Sequence, residues 1–225
     1  MNDIPIRAAS TIILLRDFDS NPRVLMGQRG AKAAFMPNKF VFPGGAVDKE
    51  DADISLLKPL PTNCYANLQD HSSGPSPDVL AVAAIRELWE ETGLILGKPH
   101  EWPNAPSDWT GFARAGCRPS AENLFFFFRA ITPPGKSRRF DARFFLTSAE
   151  HLANDPDDFS MACDELSHLK WVPLDEVASL NLPFITSIVL GEISGLTEIG
   201  PPKSVPFFQN TDEESLFLRL QNSVK

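Results

Sequence analysis

The sequence predicts an α+β fold, a mixed β-sheet flanked by helices. Three observations lead there. Apolar runs of strand length are bounded by turn residues, and one long amphipathic helix ends on a glycine. Strands and helices also mix without the regular strand–helix–strand rhythm of a parallel sheet. The 225 residues are 43% hydrophobic and 10% aromatic, enough apolar mass for one globular domain spanning 1–225.

Taken in order, residues 8–16 (AASTIILLR) and 23–29 (RVLMGQR) read as two strands joined by a polar turn from Asp17 to Pro22. Lys39–Phe42 is a short strand stopped by Pro43-Gly44-Gly45. Residues 79–93 form the clearest helix. Val79, Val82, Ala83, Ile85, Leu88 and Trp89 line its apolar stripes, and Gly93 stands at the C-cap position. Strands follow at Asn123–Thr132 and Ala142–Thr147, separated by Pro133-Pro134-Gly135. Phe125–Phe128 read as a strand buried on both faces. A strand at His168–Val172 leads through Pro173 into a short helix, Leu174–Leu180. Pro183 opens another helix to about Ser194, and Asp212–Gln221 reads as a terminal helix, so 183–225 is expected to be a helical extension. Residues 52–78 and 97–122, rich in proline and small or polar residues, carry no clear period.

The formal charge of -8 argues against a nucleic acid duplex as partner, because no basic excess exists to displace its counterions. It leaves open a small phosphorylated substrate. Cys64, Cys117 and Cys163 are odd in number and widely spaced, so neither a disulfide framework nor a zinc pattern is expected. A reducing cytoplasm is the expected location. The apolar run from Ala8 to Leu15 lacks the basic start of a signal peptide. No stretch approaches the roughly 20 apolar residues of a membrane span. The C-terminal Asn-Ser-Val-Lys is not a peroxisomal address.

Chemistry concentrates on the long helix. Glu87, Glu90 and Glu91 stand at i, i+3 and i+4, so their carboxylates project from nearly one side. Like charges at this spacing cost an isolated helix roughly 0.2–0.5 kcal/mol per pair. Either solvent or bound divalent cations, which take carboxylate oxygens as ligands, must offset that repulsion. A solvated acidic face is the plainer alternative.

The neighbours favour the second alternative. Arg86 to Leu94 reads REL-W-EE-T-G-L, and Phe42-Pro43-Gly44-Gly45 stands upstream. This resembles the signature of the Nudix hydrolases, G-x5-E-x7-R-E-U-x-E-E-x-G-U, with U a bulky aliphatic residue. The second half matches residue by residue. The first half matches at Gly45, with Asp51 where the pattern has glutamate. Residues 52–85 stand where the pattern has seven positions, an insertion of 27 that a loop tolerates because closure entropy grows only logarithmically. A subgroup that includes the peroxisomal coenzyme A diphosphatases carries a long insertion here. Thr132-Pro133-Pro134 with Arg138 to Phe145 (RRFDARFF), and Glu165 through Pro173, are also similar to that subgroup. The segment Gln28 to Phe35 matches its coenzyme A signature only loosely. The resemblance spans roughly residues 8–195.

That resemblance implies a Nudix-type α/β/α sandwich and a Mg²⁺- or Mn²⁺-dependent hydrolase of a phosphoanhydride bond. The small-molecule substrate would be a nucleoside diphosphate linked to another moiety, with coenzyme A or acyl-coenzyme A as the specific expectation. A broader nucleotide-sugar, ADP-ribose or dinucleotide pyrophosphatase is the alternative, and a non-catalytic ligand-sensing module is the alternative of another class. A homodimer is compatible with the resemblance. Glu87, Glu90, Glu91 and the carbonyl of Gly44 would hold metal, and Arg86 would orient a carboxylate through a bidentate pair. Its plainer alternative is a surface pair with Glu90. Glu165 is either the general base or a solvated loop carboxylate. Arg29, Arg139 and Arg143 are candidates for substrate phosphate, and Arg143 could instead pair with an acid to hold the sheet. Trp102 and Trp109 either stack on a base or anchor packing. His71, His100, His151 and His168 show no metal spacing.

Overall fold

The computed structural model describes residues 4–70 and 74–221. The strands and helices run, in chain order, β1 (Ile6–Arg16), β2 (Arg23–Arg29), β3 (Phe40–Val41), β4 (Gly44–Ala46), α1 (Thr62–Asp70), α2 (Pro77–Thr92), β5 (Gly97–Pro99), α3 (Thr110–Arg114), β6 (Cys117–Pro119), β7 (Phe125–Ile131), β8 (Arg139–Ser148), β9 (Leu166–Pro173), α4 (Phe184–Ile193), β10 (Ser204–Asn210) and β11 (Ser215–Gln221).

Among the described residues, nine strands form one mixed sheet in the order β11-β10-β7-β8-β1-β2-β3, with β4 paired to β1 and β9 to β2. β1 runs parallel to β8, and β10 parallel to β7; the other ladders are antiparallel. β5 and β6 make a separate ribbon.

Strand alternation divides the core in two. Ile12 and Leu14 of β1 face α1 and α2, whereas Ile13 and Leu15 face α4. Phe126 lies in the first layer, Phe127 and Phe128 in the second, with a register shift between Phe126 and Phe128. The expected helix–sheet–helix sandwich is therefore present.

α2 starts two residues earlier than the apolar period suggests. Ser76 caps it by accepting from the amide of Val79, and Pro77 occupies the first turn. Gly93 ends it in the left-handed region at φ 75°, donating to the carbonyl of Trp89. This rigid rod carries the glutamates.

Three expectations are corrected. The insertion 52–78 is not a bare loop: α1 packs on α2, burying Cys64 and Leu68 one turn apart, with Leu60 beside them. Leu174–Leu180 yields only a 3-10 turn at Val177–Ser179. Asp212–Gln221 is not a helix. Its residues 215–221 form β11, paired along its whole length with β10 through a turn at 211–214. The alternation of Leu216, Leu218 and Leu220 with Phe217 and Arg219 has the two-residue period of a strand. His71 lies outside the described residues.

Candidate active site

The site begins where Pro43 turns the chain against β1. The Ile12 amide donates to the Pro43 carbonyl at 2.9 Å, and Ser10 and Thr11 pair with Gly45 and Gly44. A Cβ on Gly44 would lie 2.6 Å from the Ser10 carbonyl oxygen and from Thr11 Cα. A Cβ on Gly45 would enter the Glu87 carboxylate. Both positions need glycine because backbone and carboxylate fill the space a side chain requires. The Gly44 amide donates to Glu91 Oε2 at 2.8 Å, which ties the turn to α2.

Arg86 organises the acids. Its Nε and Nη2 grip Asp51 Oδ1 and Oδ2 at 2.7 and 3.1 Å. Nη1 donates to Glu87 Oε1 at 3.0 Å and to Glu90 Oε2 at 2.9 Å, and Nη2 donates also to the Ala46 carbonyl at 3.0 Å. All five guanidinium N–H groups are thus engaged. The Arg86 and Asp51 side chains are only 8% and 2% exposed, which sets aside the surface-pair alternative. The 3-10 turn Lys49–Asp53, where Asp51 also accepts from the Asp48 amide, brings the shorter carboxylate within reach.

The electrostatics are unbalanced. Glu91 is 2% exposed, and burial, then the neighbouring Glu87, push its carboxyl well above the usual range against the Gly44 amide. Burial raises Glu87 to about 7 despite Arg86. Glu90 is raised for the same first reason, with Asp108 of the neighbouring loop adding repulsion. Asp51, Glu87 and Glu90 therefore share one guanidinium while Glu91 lies buried beside Glu87, and the cluster favours additional positive charge. Hard carboxylate oxygens beside backbone carbonyls are the donor set Mg²⁺ and Mn²⁺ take, so the residues fit a divalent cation. Among the described residues no three such side chains close into a finished metal cage. A cation would have to draw Glu87 and Glu90 from Arg86 Nη1.

Two distant segments complete the mouth. Arg29, at the end of β2, donates Nη2 to Glu165 Oε1 at 3.1 Å and Nε to the Phe35 carbonyl at 3.0 Å. The Glu165 side chain is 56% exposed, yet its charge is felt by both Glu87 and Glu91. The Cys163 amide donates to the Glu90 carbonyl at 3.0 Å, fixing this loop to α2. Gly44, Arg86, Glu87, Glu90, Glu91, Arg29 and Glu165 thus come together.

Arg139 and Arg143 do not join them as free cations. Ser10 pairs with Gly45 on one side and Arg143 on the other, so Arg143 is level with the site. It is 1% exposed, with Nη2 on Asp141 Oδ2 at 3.0 Å and Nη1 on the Asp141 carbonyl at 2.8 Å. Arg129 grips the same carboxylate with two 2.8 Å bonds. Burial lowers Arg143 to about 10. Arg139, four residues back along β8, donates to the Thr132 carbonyl and to Asp212. The geometry favours a sheet-holding role for Arg143 over phosphate contact, and Arg139 is tied down far from the glutamates.

Sequence reasoning missed Gly45 as the seat of Glu87, the carbonyl of Ala46, and the segment behind α2. There Gly111 lies against Trp89, and Trp109 packs between Trp102 and Phe112 at 5.8 and 5.0 Å. Trp109 is a packing anchor.

No family model matches the chain. It is 31% identical over 179 residues to nudix hydrolase 7 of Caenorhabditis elegans, covering 74% of this chain and 51% of that protein. It is 26% identical over 168 residues to human acyl-coenzyme A diphosphatase NUDT19, covering 62% and 40%. The chain thus spans about half or less of the curated relatives it matches. Among solved structures, a NUDIX hydrolase from Alicyclobacillus acidocaldarius superposes with a TM-score of 0.63 at 25% identity, covering 88% of this chain and 99% of that one.

Proposed function

The chain belongs to the Nudix hydrolase family, and from that premise we propose that it is a Mg²⁺- or Mn²⁺-dependent hydrolase of a phosphoanhydride bond. Its substrate is a nucleoside diphosphate linked to another moiety, with coenzyme A or acyl-coenzyme A as the specific assignment. The observation that carries this proposal is the seating of Glu87 and Glu91 against the Gly44–Gly45 turn, with Arg86 holding Glu90 beside Glu87. The similarity to acyl-coenzyme A diphosphatase NUDT19 and the RRFDARFF segment support the substrate.

Bound divalent cations would neutralise the diphosphate charge and make its phosphorus more open to water. Glu87, Glu90, Glu91 and the Gly44 carbonyl would hold them. Arg86 orients Glu87 and Glu90 and remains anchored by Asp51, away from substrate. Glu165 is solvent-accessible and steadied by Arg29, and in this scheme its carboxylate would accept a proton from the attacking water. Arg29 is the substrate-contacting cation in this scheme. The net charge of -8 favours a small-molecule partner over a nucleic acid duplex. Cys64, Cys117 and Cys163 are free thiols, in keeping with a cytoplasmic location, and we propose a homodimer as the assembly.

Incubation with coenzyme A and Mg²⁺ should yield 4′-phosphopantetheine and 3′,5′-ADP. Turnover of ADP-ribose or a nucleotide sugar without these products would replace the coenzyme A assignment by the broader pyrophosphatase. A Glu90→Gln, Glu91→Gln double variant should lose turnover by at least a hundredfold. Full activity in that variant would place the chemistry elsewhere. Absence of turnover on every diphosphate offered, with ligand binding retained, would leave the sensing module.

A further inference from the structure

β11 closes one end of the sheet, hydrogen-bonded to β10 on one side, and no strand pairs its outer edge among the described residues. Edge strands are normally protected by charge, proline or a bulge. β11 has none of the last two and a single charged residue, Arg219, in the run Ser215-Leu216-Phe217-Leu218-Arg219-Leu220-Gln221. Phe217 is 47% exposed and Leu218 37% exposed. Phe217 also extends an aromatic surface through Phe208 to Phe184 of α4, with ring centroids 6.4 and 5.9 Å apart.

The order of residues along this edge is self-complementary. A two-fold axis through Leu218 sets Leu218 against itself, Leu216 against Leu220, Phe217 against Arg219 and Ser215 against Gln221. Every apolar residue then meets an apolar residue or, for Phe217, a cation that suits its ring face. Within the monomer the same two residues already stack, Arg219 lying 5.7 Å from the Phe217 ring centre. Shifting the axis one residue onto Arg219 would bring the two arginines together. Shifting it onto Phe217 would pair only residues 215–219 and leave Leu220 without a counterpart. Only the axis at Leu218 pairs all seven residues without opposing like charges.

We propose that the chain forms a two-fold homodimer by antiparallel pairing of β11 with β11 of a second copy, Leu218 lying on the axis. The sheet then runs continuously through both subunits, and Phe184 and Phe208 of each flank the seam. This names the interface of the homodimer proposed above and does not depend on the substrate. β10, β7 and β8 stand between β11 and β1, so the seam is remote from the glutamates.

Sedimentation velocity on the intact chain should give the mass of two copies, falling twofold in Leu218→Lys with turnover per chain unchanged. In a Cys163→Ser background, Leu218→Cys should form an intersubunit disulfide on mild oxidation. Leu216→Cys alone should not, whereas Leu216→Cys with Leu220→Cys should. A wild-type chain that sediments as a monomer, leaving the edge to a different polypeptide, overturns the proposal. So does a dimer that survives Leu218→Lys, or one in which Leu218→Cys stays reduced while Phe217→Cys cross-links.

Discussion

Arg86 shows how one side chain can set the geometry of three others. Its five donors are fixed in a plane, and each meets an oxygen from Asp51, Glu87, Glu90 or Ala46. Lysine keeps the charge but replaces the fork by a compact ammonium with three donors, so it cannot hold Asp51 through two bonds and reach the glutamates as well. Arg86→Lys is expected to lower kcat by roughly a hundredfold, on the order of 3 kcal/mol for lost positioning, with a smaller change in KM. Steady-state kinetics decides this: an effect confined to KM would mean that Arg86 binds substrate instead. The burial of Glu87 gives a second expectation. Its carboxyl is raised from 4.5 to about 7 in the folded chain, so the folded state binds protons more tightly than the unfolded state between those values. The Glu87 contribution to the stability of the metal-free protein should therefore be fully present below 4.5 and be lost as pH climbs through about 7. Divalent cations, which bind the ionised form, should restore Tm at the upper end. In calorimetric scans of the metal-free protein, a Tm gap between wild type and Glu87→Gln that fails to widen as pH climbs across that window would contradict the electrostatics described for the site.

The segment around Arg143 shows at the same scale how strand geometry bears on an open choice. In the one-dimensional chain Arg138, Arg139 and Arg143 look like a basic cluster, which suits a substrate phosphate as well as an acid that holds the sheet. In a strand, residues two apart share a face, so Asp141 lies between Arg139 and Arg143 on the same side of β8. Arg143 pairs with it directly. Read with the strand period, the segment announces its own compensation. The partner that completes it, Arg129, comes from the neighbouring strand and carries no local signal.

At the scale of elements, α2 was readable because everything it needs is local: Ser76 and Gly93 at its ends, a long apolar stripe, and four functional residues within two turns. β11 was not. Asp212, Glu213 and Glu214 imitate the acidic first turn of a helix, and the pairing with β10 that overrides them is a tertiary fact. The insertion was likewise opaque, since α1 is nine residues long and its buried Cys64, Asn67 and Leu68 are too few to stand out among polar neighbours. Its packing nevertheless makes a strong claim. Leu68 is 1% exposed and lies in the same core layer as Ile85 and Leu88, on the inner side of the helix that bears the glutamates. Leu68→Ala should destabilise the protein by about 2–5 kcal/mol, the range for emptying a buried leucine site. A denaturant titration showing less than about 0.5 kcal/mol would mean that the insertion merely decorates the surface.

For the whole molecule, the sheet brings the site together from four separated stretches: the Gly44 turn, α2, the end of β2 and the loop before β9. The glutamates and glycines were legible because one helix and a tight turn impose their own spacing. Glu165 was reached through resemblance and Arg29 through its position at the end of the second strand, and the antiparallel pairing of Arg29 with Leu166 explains why they meet.

The parallel ladder between β1 and β8 has a further consequence. It joins Ile6 to Arg139 and Leu15 to Ser148, so the strand against which the glycine turn is laid gains its inner neighbour only after 133 further residues (139 − 6) have been added. Until then β1 presents an apolar flank to the crowded surroundings of synthesis. A topology dominated by such distant pairings collapses slowly, and the nascent protein is most vulnerable to misassociation during that interval.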